Sequence, residues 1–311
     1  MSVLFVFPGQ GAHYPGMLQQ LPDHPAIRQT LAEATAALDL PPAQLDSARA
    51  LHSTVAVQRC LLIAGVASAR MLAAEAGPPD MVAGLSIGAY AAAVCAGVLA
   101  FADALALVSL RGQLMEQAYP RGYGMSAVIG LDVPQLARVL QQLHAEGQPA
   151  WLANINAERQ LVVAGADEAL HRLAQHAHAA GASCCQRLNM SVPSHCPLLA
   201  EPAQQLQQAF AGIALQAPRL AYLSSSAARV LRDPQQIGLD LAGNMARQVR
   251  WHDTSRLAVE RGARLAVEML PGNTLSRLLG PVMAPGLALA MQNTRLDTLV
   301  ALIQREQQRL A

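Results

Sequence analysis

The sequence predicts an α/β protein: a large subdomain with a mostly parallel sheet, plus an inserted small subdomain of ferredoxin-like βαββαβ order. Three observations predict it. Short unbroken apolar runs alternate with longer helical stretches at both ends of the chain, the pattern of a parallel sheet covered on both faces. A Gly84-x-Ser86-x-Gly88 turn sits between one such run and an Ala-rich helix former. Between Ser126 and Leu188 the elements follow the order strand, helix, strand, strand, helix, strand.

In chain order, Val3 to Phe7 is an apolar run closed by Pro8-Gly9-Gln10-Gly11, a strand with a tight loop at its carboxyl end, where open α/β sheets place ligands. Residues 26 to 38 and 54 to 76 have helical periodicity, and Gly77-Pro78-Pro79 stops the second. Met81 to Gly84 is the elbow strand, followed by the elbow helix and a helix over 102 to 118. The small subdomain takes strands at Ser126–Ile129, Ala150–Ile155, Leu161–Ala164 and Ser183–Leu188, with helices at Val133–His144 and Ala166–Ala180. The chain then returns through a helix near 197 to 211, a strand at Leu220–Ser224 and helices near 237 to 247 and 252 to 261. A strand at Leu265–Met269 and a packing helix from Leu296 to Leu310 complete it. The expected division is 1–123 with 191–311 for the large subdomain and 124–190 for the small one.

Composition narrows the function classes. With 311 residues and 52% hydrophobic content the chain can bury a full core, and a net charge of +1 without a basic stripe argues against nucleic acid and anionic lipid. The five cysteines show no Cys-x-x-Cys, and the N-terminus opens on a strand without a charged leader, so a reduced, cytoplasmic protein is expected. Residues 81 to 102 carry no charge, but Gly84 and Gly88 break them into a strand and a helix rather than a membrane span.

The chemistry centres on Ser86. Glycine two positions before and after a serine at a sharp strand-to-helix turn is the layout of a nucleophile elbow, which makes the large subdomain α/β-hydrolase-like. The following helix aims its free N–H groups at the place where an oxyanion would form. A serine hydroxyl needs a base, most often histidine. Of nine histidines, His171, His176 and His178 share a helix without metal-ligand spacing, and no metal is expected. His195 stands apart in Ser191-Val-Pro-Ser-His-Cys-Pro197, a loop stiffened by two prolines where the small subdomain rejoins the large one.

Six blocks, in order, carry a resemblance: Phe7-Pro-Gly-Gln-Gly11, the serine elbow, Arg111-Gly-Gln-Leu-Met115, Ser191-Val-Pro-Ser-His-Cys196, Val249-Arg-Trp251 and Glu268-Met-Leu-Pro-Gly-Asn273. Together they resemble the malonyl-CoA:acyl carrier protein transacylase family, a large α/β part with a ferredoxin-like insertion. The resemblance implies ping-pong acyl transfer, in which Ser86 takes malonyl from CoA as an ester with His195 as base, and a carrier thiol then accepts it. It implies an oxyanion hole from the backbone N–H groups of Gln10 and Ile87, and Arg111 as the guanidinium that binds the malonyl carboxylate. Asn244 falls where the family usually has a glutamine whose backbone carbonyl orients the histidine, and no triad carboxylate is implied. No bound cofactor is implied, CoA thioester being substrate and a carrier-bound CoA-like thiol the acceptor.

The chain departs from the family at Leu85 and Ala89, where a histidine and a glutamate usually flank the elbow. Gly-Leu-Ser-Ile-Gly-Ala-Tyr with Ser-Val-Pro-Ser-His-Cys-Pro resembles the branch that accompanies malonate decarboxylase, whose partner is the decarboxylase's carrier subunit. Alternatives are a transacylase of fatty-acid or polyketide synthesis, a serine thioesterase or hydrolase, and a non-catalytic docking subunit. A hydrolase usually places its histidine near the C-terminus, and here only His252 follows His195. Cys196 reads as a buried apolar filler.

Overall fold

The computed structural model describes residues 2–309; Met1, Leu310 and Ala311, including the expected end of the last helix, lie outside the described residues. In chain order the elements are β1 (Val3–Phe7), α1 (Pro25–Leu38), α2 (Pro42–Leu45), α3 (Thr54–Ala76), β2 (Met81–Gly84), α4 (Gly88–Cys95) and α5 (Phe101–Ala118). Next come β3 (Tyr123–Ile129), α6 (Val133–Ala145), β4 (Ala150–Ala157), β5 (Gln160–Ala166), α7 (Asp167–Ala179) and β6 (Cys184–Arg187). The last part holds α8 (Ala200–Ala209), β7 (Ala221–Ser224), β8 (Arg229–Leu231), α9 (Pro234–Gly243), α10 (Trp251–Glu260), β9 (Leu265–Glu268), α11 (Thr274–Met283), β10 (Leu287–Ala290) and α12 (Leu296–Gln308).

The larger sheet has the order β10-β9-β1-β2-β7-β8, parallel throughout except for the β7–β8 hairpin. Its strands are apolar on both sides because both sides are covered. Val3, Phe5 and Phe7 join the core under α3, α4 and α5, while Leu4 and Val6 face a second core shared with α10 and α11. Helix α3 is long and apolar enough to cross a membrane by composition, but it lies inside the fold against α1, α4 and α5.

The smaller sheet, β4-β5-β3-β6, is antiparallel throughout, with α6 and α7 packed on one face. This is the ferredoxin-like order, so the predicted fold class holds. β3 begins at Tyr123, paired with Ala166, one residue before the expected boundary. A stitch ties this sheet to the larger part: Ile155 N–H donates to Val249 O at 2.8 Å, and Val249 N–H to Ala153 O at 2.8 Å.

Several elements differ from the sequence expectation. α9 starts at Pro234, three residues earlier than predicted, because the Asp233 carboxylate caps Gln236 N and proline fits the first helical turn. It ends at Gly243, and Asn244–Ala246 form a separate 3-10 turn. The short elements α2, β8, α11 and β10 went unpredicted. α11 starts on a cap from outside itself: the buried Glu268 carboxylate accepts from Leu275 N at 3.0 Å and Ser276 N at 2.7 Å.

Candidate active site

The elbow between β2 and α4 is closed by steric necessity. A Cβ on Gly84 would strike the backbone of Gly88 and Ala89, and one on Gly88 would strike the Phe7 and Pro8 carbonyls at the end of β1. Ser86 is forced to φ +56°, a left-handed conformation that costs a serine about 1–3 kcal/mol and persists only where the surroundings fix it. The strain lifts the hydroxyl clear of the sheet at the carboxyl ends of β1 and β2.

His195 reaches that hydroxyl from the loop after β6. It also has positive φ, +63°, and its N–H donates to Met245 O at 2.6 Å, anchoring the loop to the turn after α9. The imidazole Nε2 lies 2.8 Å from Ser86 Oγ. On its other side Nδ1 lies 2.7 Å from Asn244 O and 3.2 Å from Arg247 O. Both partners are carbonyls and only accept, so Nδ1 carries the proton and Nε2 is the free base facing the serine. Burial, and secondarily the Arg111 charge, push the imidazole down to about 4, against the opposing pull of the two carbonyls. It is therefore neutral at pH 7, the state a general base requires.

Arg111 comes up from α5 beneath the elbow and is wholly buried. Its Nη2 donates to Ser86 Oγ and to Asn244 Oδ1, each at 3.2 Å, while Nε and Nη1 have no partner among the described residues. Burial lowers the guanidinium to about 10, with Tyr90 acting in the opposite direction, so it remains charged at neutral pH. Asn244 binds at three points: its carbonyl at His195, its Oδ1 at Arg111, and its Nδ2 donating to Ser86 O at 3.2 Å. The sequence reading assigned it the backbone contact alone. The two side-chain contacts carry no sequence signal, because they depend on how α9 and α5 meet.

A pocket of about 200 Å³ opens at Ser86, lined among others by Gln10, Leu85, Met125, Asn154 and His195. Among the described residues, the backbone N–H groups of Gln10 and Ile87 donate to no protein acceptor. Gln10 lines the pocket from the β1 loop, and Ile87 follows the serine at the start of α4. Leu85 and Ala89 leave the elbow flanks apolar, Leu85 lining the pocket and Ala89 buried in the core. Cys196 is buried and inert, its thiol 3.3 Å from Pro193 O and pushed up to about 11 by burial. Among the described residues, no group of three or more His, Cys, Asp or Glu side chains could hold a metal ion. A serine paired with a base, a buried cation donating to its hydroxyl and two free amide donors are groups that can take up and release an acyl group on the serine oxygen.

Fold and site together define an acyl transferase, and residues 4–310 match the acyl transferase domain family. More narrowly, the chain belongs to the malonyl-CoA:acyl carrier protein transacylase family. It is 38% identical to the malonyl CoA-acyl carrier protein transacylases of Salmonella typhimurium and Escherichia coli K12, over 88% of this chain and 90% of theirs. The solved transacylase of Coxiella burnetii superposes with a TM-score of 0.92 at 34% identity, covering 98% of each chain. A malonyl-transacylase solved in complex with its type II polyketide acyl-carrier protein superposes at 0.90, with 33% identity over 98% of this chain and 99% of that one.

Proposed function

We propose that the protein transfers malonyl from malonyl-CoA, through an ester on Ser86, to the thiol of an acyl carrier protein. The observation that carries this reading is the buried, charged Arg111 with two donor atoms unpaired beside Ser86. Burying a cation with no anionic partner and with donors unpaired is costly, and a fold keeps one where a ligand completes it. A malonyl group ends in a carboxylate, which accepts two parallel N–H bonds from one guanidinium.

His195 takes the Ser86 proton as the hydroxyl attacks the thioester carbonyl, and the Gln10 and Ile87 N–H groups hold the oxyanion. Collapse breaks the C–S bond, and the proton on His195 passes to the departing thiolate. The carrier thiol reverses these steps. Asn244 holds His195 through its carbonyl, so the site works as a Ser-His pair without a carboxylate. No bound cofactor takes part. A wider polar cleft of about 680 Å³, sharing Gln10, Leu188, Met190 and Ser194 with the pocket, gives the thiol-bearing arm a path to solvent.

The carrier we infer is the carrier subunit of malonate decarboxylase, and the compartment the cytoplasm. The elbow Gly-Leu-Ser-Ile-Gly-Ala-Tyr supports this, with Leu85 and Ala89 where fatty-acid transacylases hold a polar pair. In the same reading, residues 124–190 form the small subdomain and the rest the large one. One experiment tests both levels: wild type and Arg111→Ala are given malonyl-CoA or acetyl-CoA, with the decarboxylase carrier or a fatty-acid carrier as acceptor. Arg111→Ala should lower malonyl transfer by about 10- to 150-fold and relax discrimination against acetyl-CoA, as for the loss of a charged hydrogen bond. Wild type should prefer the decarboxylase carrier. Unchanged discrimination removes Arg111 from the carboxylate role, and preference for the fatty-acid carrier removes the decarboxylase assignment.

A further inference from the structure

Asn154 is a buried polar side chain that the acyl-transfer steps leave unused. It sits on β4 in the wall of the Ser86 pocket, 7% exposed, and its Oδ1 has no hydrogen-bond partner among the described residues. Its Nδ2 makes one long contact, 3.4 Å to Asn156 Oδ1, so the amide is held by packing rather than by a network. Leaving a buried amide oxygen unpaired costs about 1–3 kcal/mol, which a ligand donor would recover.

The local backbone is bent to put Asn154 there. Strict alternation along β4 would place Asn154 on the same side as Leu152, which packs with Ile155 against α6 and α7. A β-bulge shifts the register between Leu152 and Asn154, so that Leu152 pairs with Val163 and Asn154 with Val162. Consecutive residues Ala153 and Asn154 consequently both leave the face covered by α6 and α7, Ala153 packing with Met125 and Val162 and Asn154 lining the pocket. The stitch to Val249 pins the bulge from both sides, through the N–H of Ile155 and the carbonyl of Ala153. This is an amide on a rigid strand, aimed by a bulge at the space next to the nucleophile.

An unpaired oxygen requires a donor from the ligand. The malonyl group offers none: a carboxylate, a methylene and a thioester carbonyl carry no N–H. The thiol arm does, since both CoA and a carrier's phosphopantetheine end in a cysteamine whose nitrogen forms a secondary amide two carbons from sulfur. We propose that Asn154 accepts a hydrogen bond from an amide N–H of the thiol arm, and so fixes the thioester sulfur relative to Ser86 in both half-reactions. The inference rests on the transacylase reading and adds to it a binding residue that recognises the arm rather than the acyl group.

The test compares donors that differ only in the arm: malonyl-CoA, malonyl-N-acetylcysteamine, which keeps one amide, and the malonyl thioester of ethanethiol, which has none. Acylation of Ser86 is followed for wild type, Asn154→Leu and Asn154→Ser. For the variants, the KM for the two amide-bearing donors should rise about five- to tenfold, as for one lost hydrogen bond, with little change in kcat. The ethanethiol thioester should react equally well with all three proteins. An equal loss on the amide-free donor assigns Asn154 a merely structural role and overturns the proposal, as does an unchanged KM for malonyl-CoA. If wild type is acylated by none of the three, the transacylase reading itself has failed, an outcome distinct from either.

Discussion

At the scale of single residues, burial moves the titration of the site's ionisable groups away from their values in water. His195 is the clearest, because burial and the Arg111 charge lower it to about 4. Its ordinary value is about 6.5, so the acid limb of kcat/KM for malonyl-CoA should fall through about pH 4 rather than through 6.5. A limb near 6.5 would mean that the working imidazole is solvated. The sign for stability follows from the same shift: the unfolded chain takes up the proton below about 6.5 while the fold refuses it until about 4. This contribution is intact above 6.5 and is lost as pH falls toward 4, so the low-pH points need a parallel check of folding. Ser86 and His195 could be picked out as candidates from glycine spacing and a proline-stiffened loop, and Arg111 through the family-like Arg-Gly-Gln-Leu-Met block. Asn154 was not, since nothing in Ala-Asn-Ile-Asn announces a bulge.

At the scale of elements, the elbow depends on β1, β2 and α4 approaching more closely than a side chain allows. Gly88→Ala should destabilise the fold by on the order of 1–3 kcal/mol or more, because the new Cβ meets the Phe7 and Pro8 carbonyls, which cannot yield. Gly212→Ala is the control, a glycine with open space around it and no positive φ. Thermal unfolding should show a lowered midpoint for Gly88→Ala and a wild-type one for Gly212→Ala; equal midpoints would mean the elbow tolerates a wider turn. Long periodic helices such as α3 and apolar strands such as β1 could be read because their pattern repeats. α11 could not, since Gly280-Pro281 interrupts it and its cap comes from Glu268. β10, four residues at the sheet edge with Leu287 exposed, is defined by pairing with β9 and not by its own composition.

At the scale of the molecule, the two sheets divide the work. The parallel sheet and its covering helices supply the elbow, the arginine on α5 and the turn after α9 that holds the histidine. The antiparallel sheet supplies the opposite wall, and the Val249 stitch sets the gap between them. The order of elements predicted both sheets, because right-handed crossovers and short connections leave few ways to assemble it. The stitch was invisible in the sequence, being backbone bonding between β4 and Val249, a residue outside any strand and nearly a hundred positions away. The claim on which the rest depends is that this arrangement makes Ser86 an acyl carrier in its own right. The most direct measurement is the intact mass of the protein after exposure to malonyl-CoA, with the adduct mapped and then challenged with a carrier thiol. The predicted result is one malonyl group on Ser86, discharged to the thiol and absent from Ser86→Ala. An adduct elsewhere, or malonyl transfer by Ser86→Ala at the wild-type rate, would contradict it.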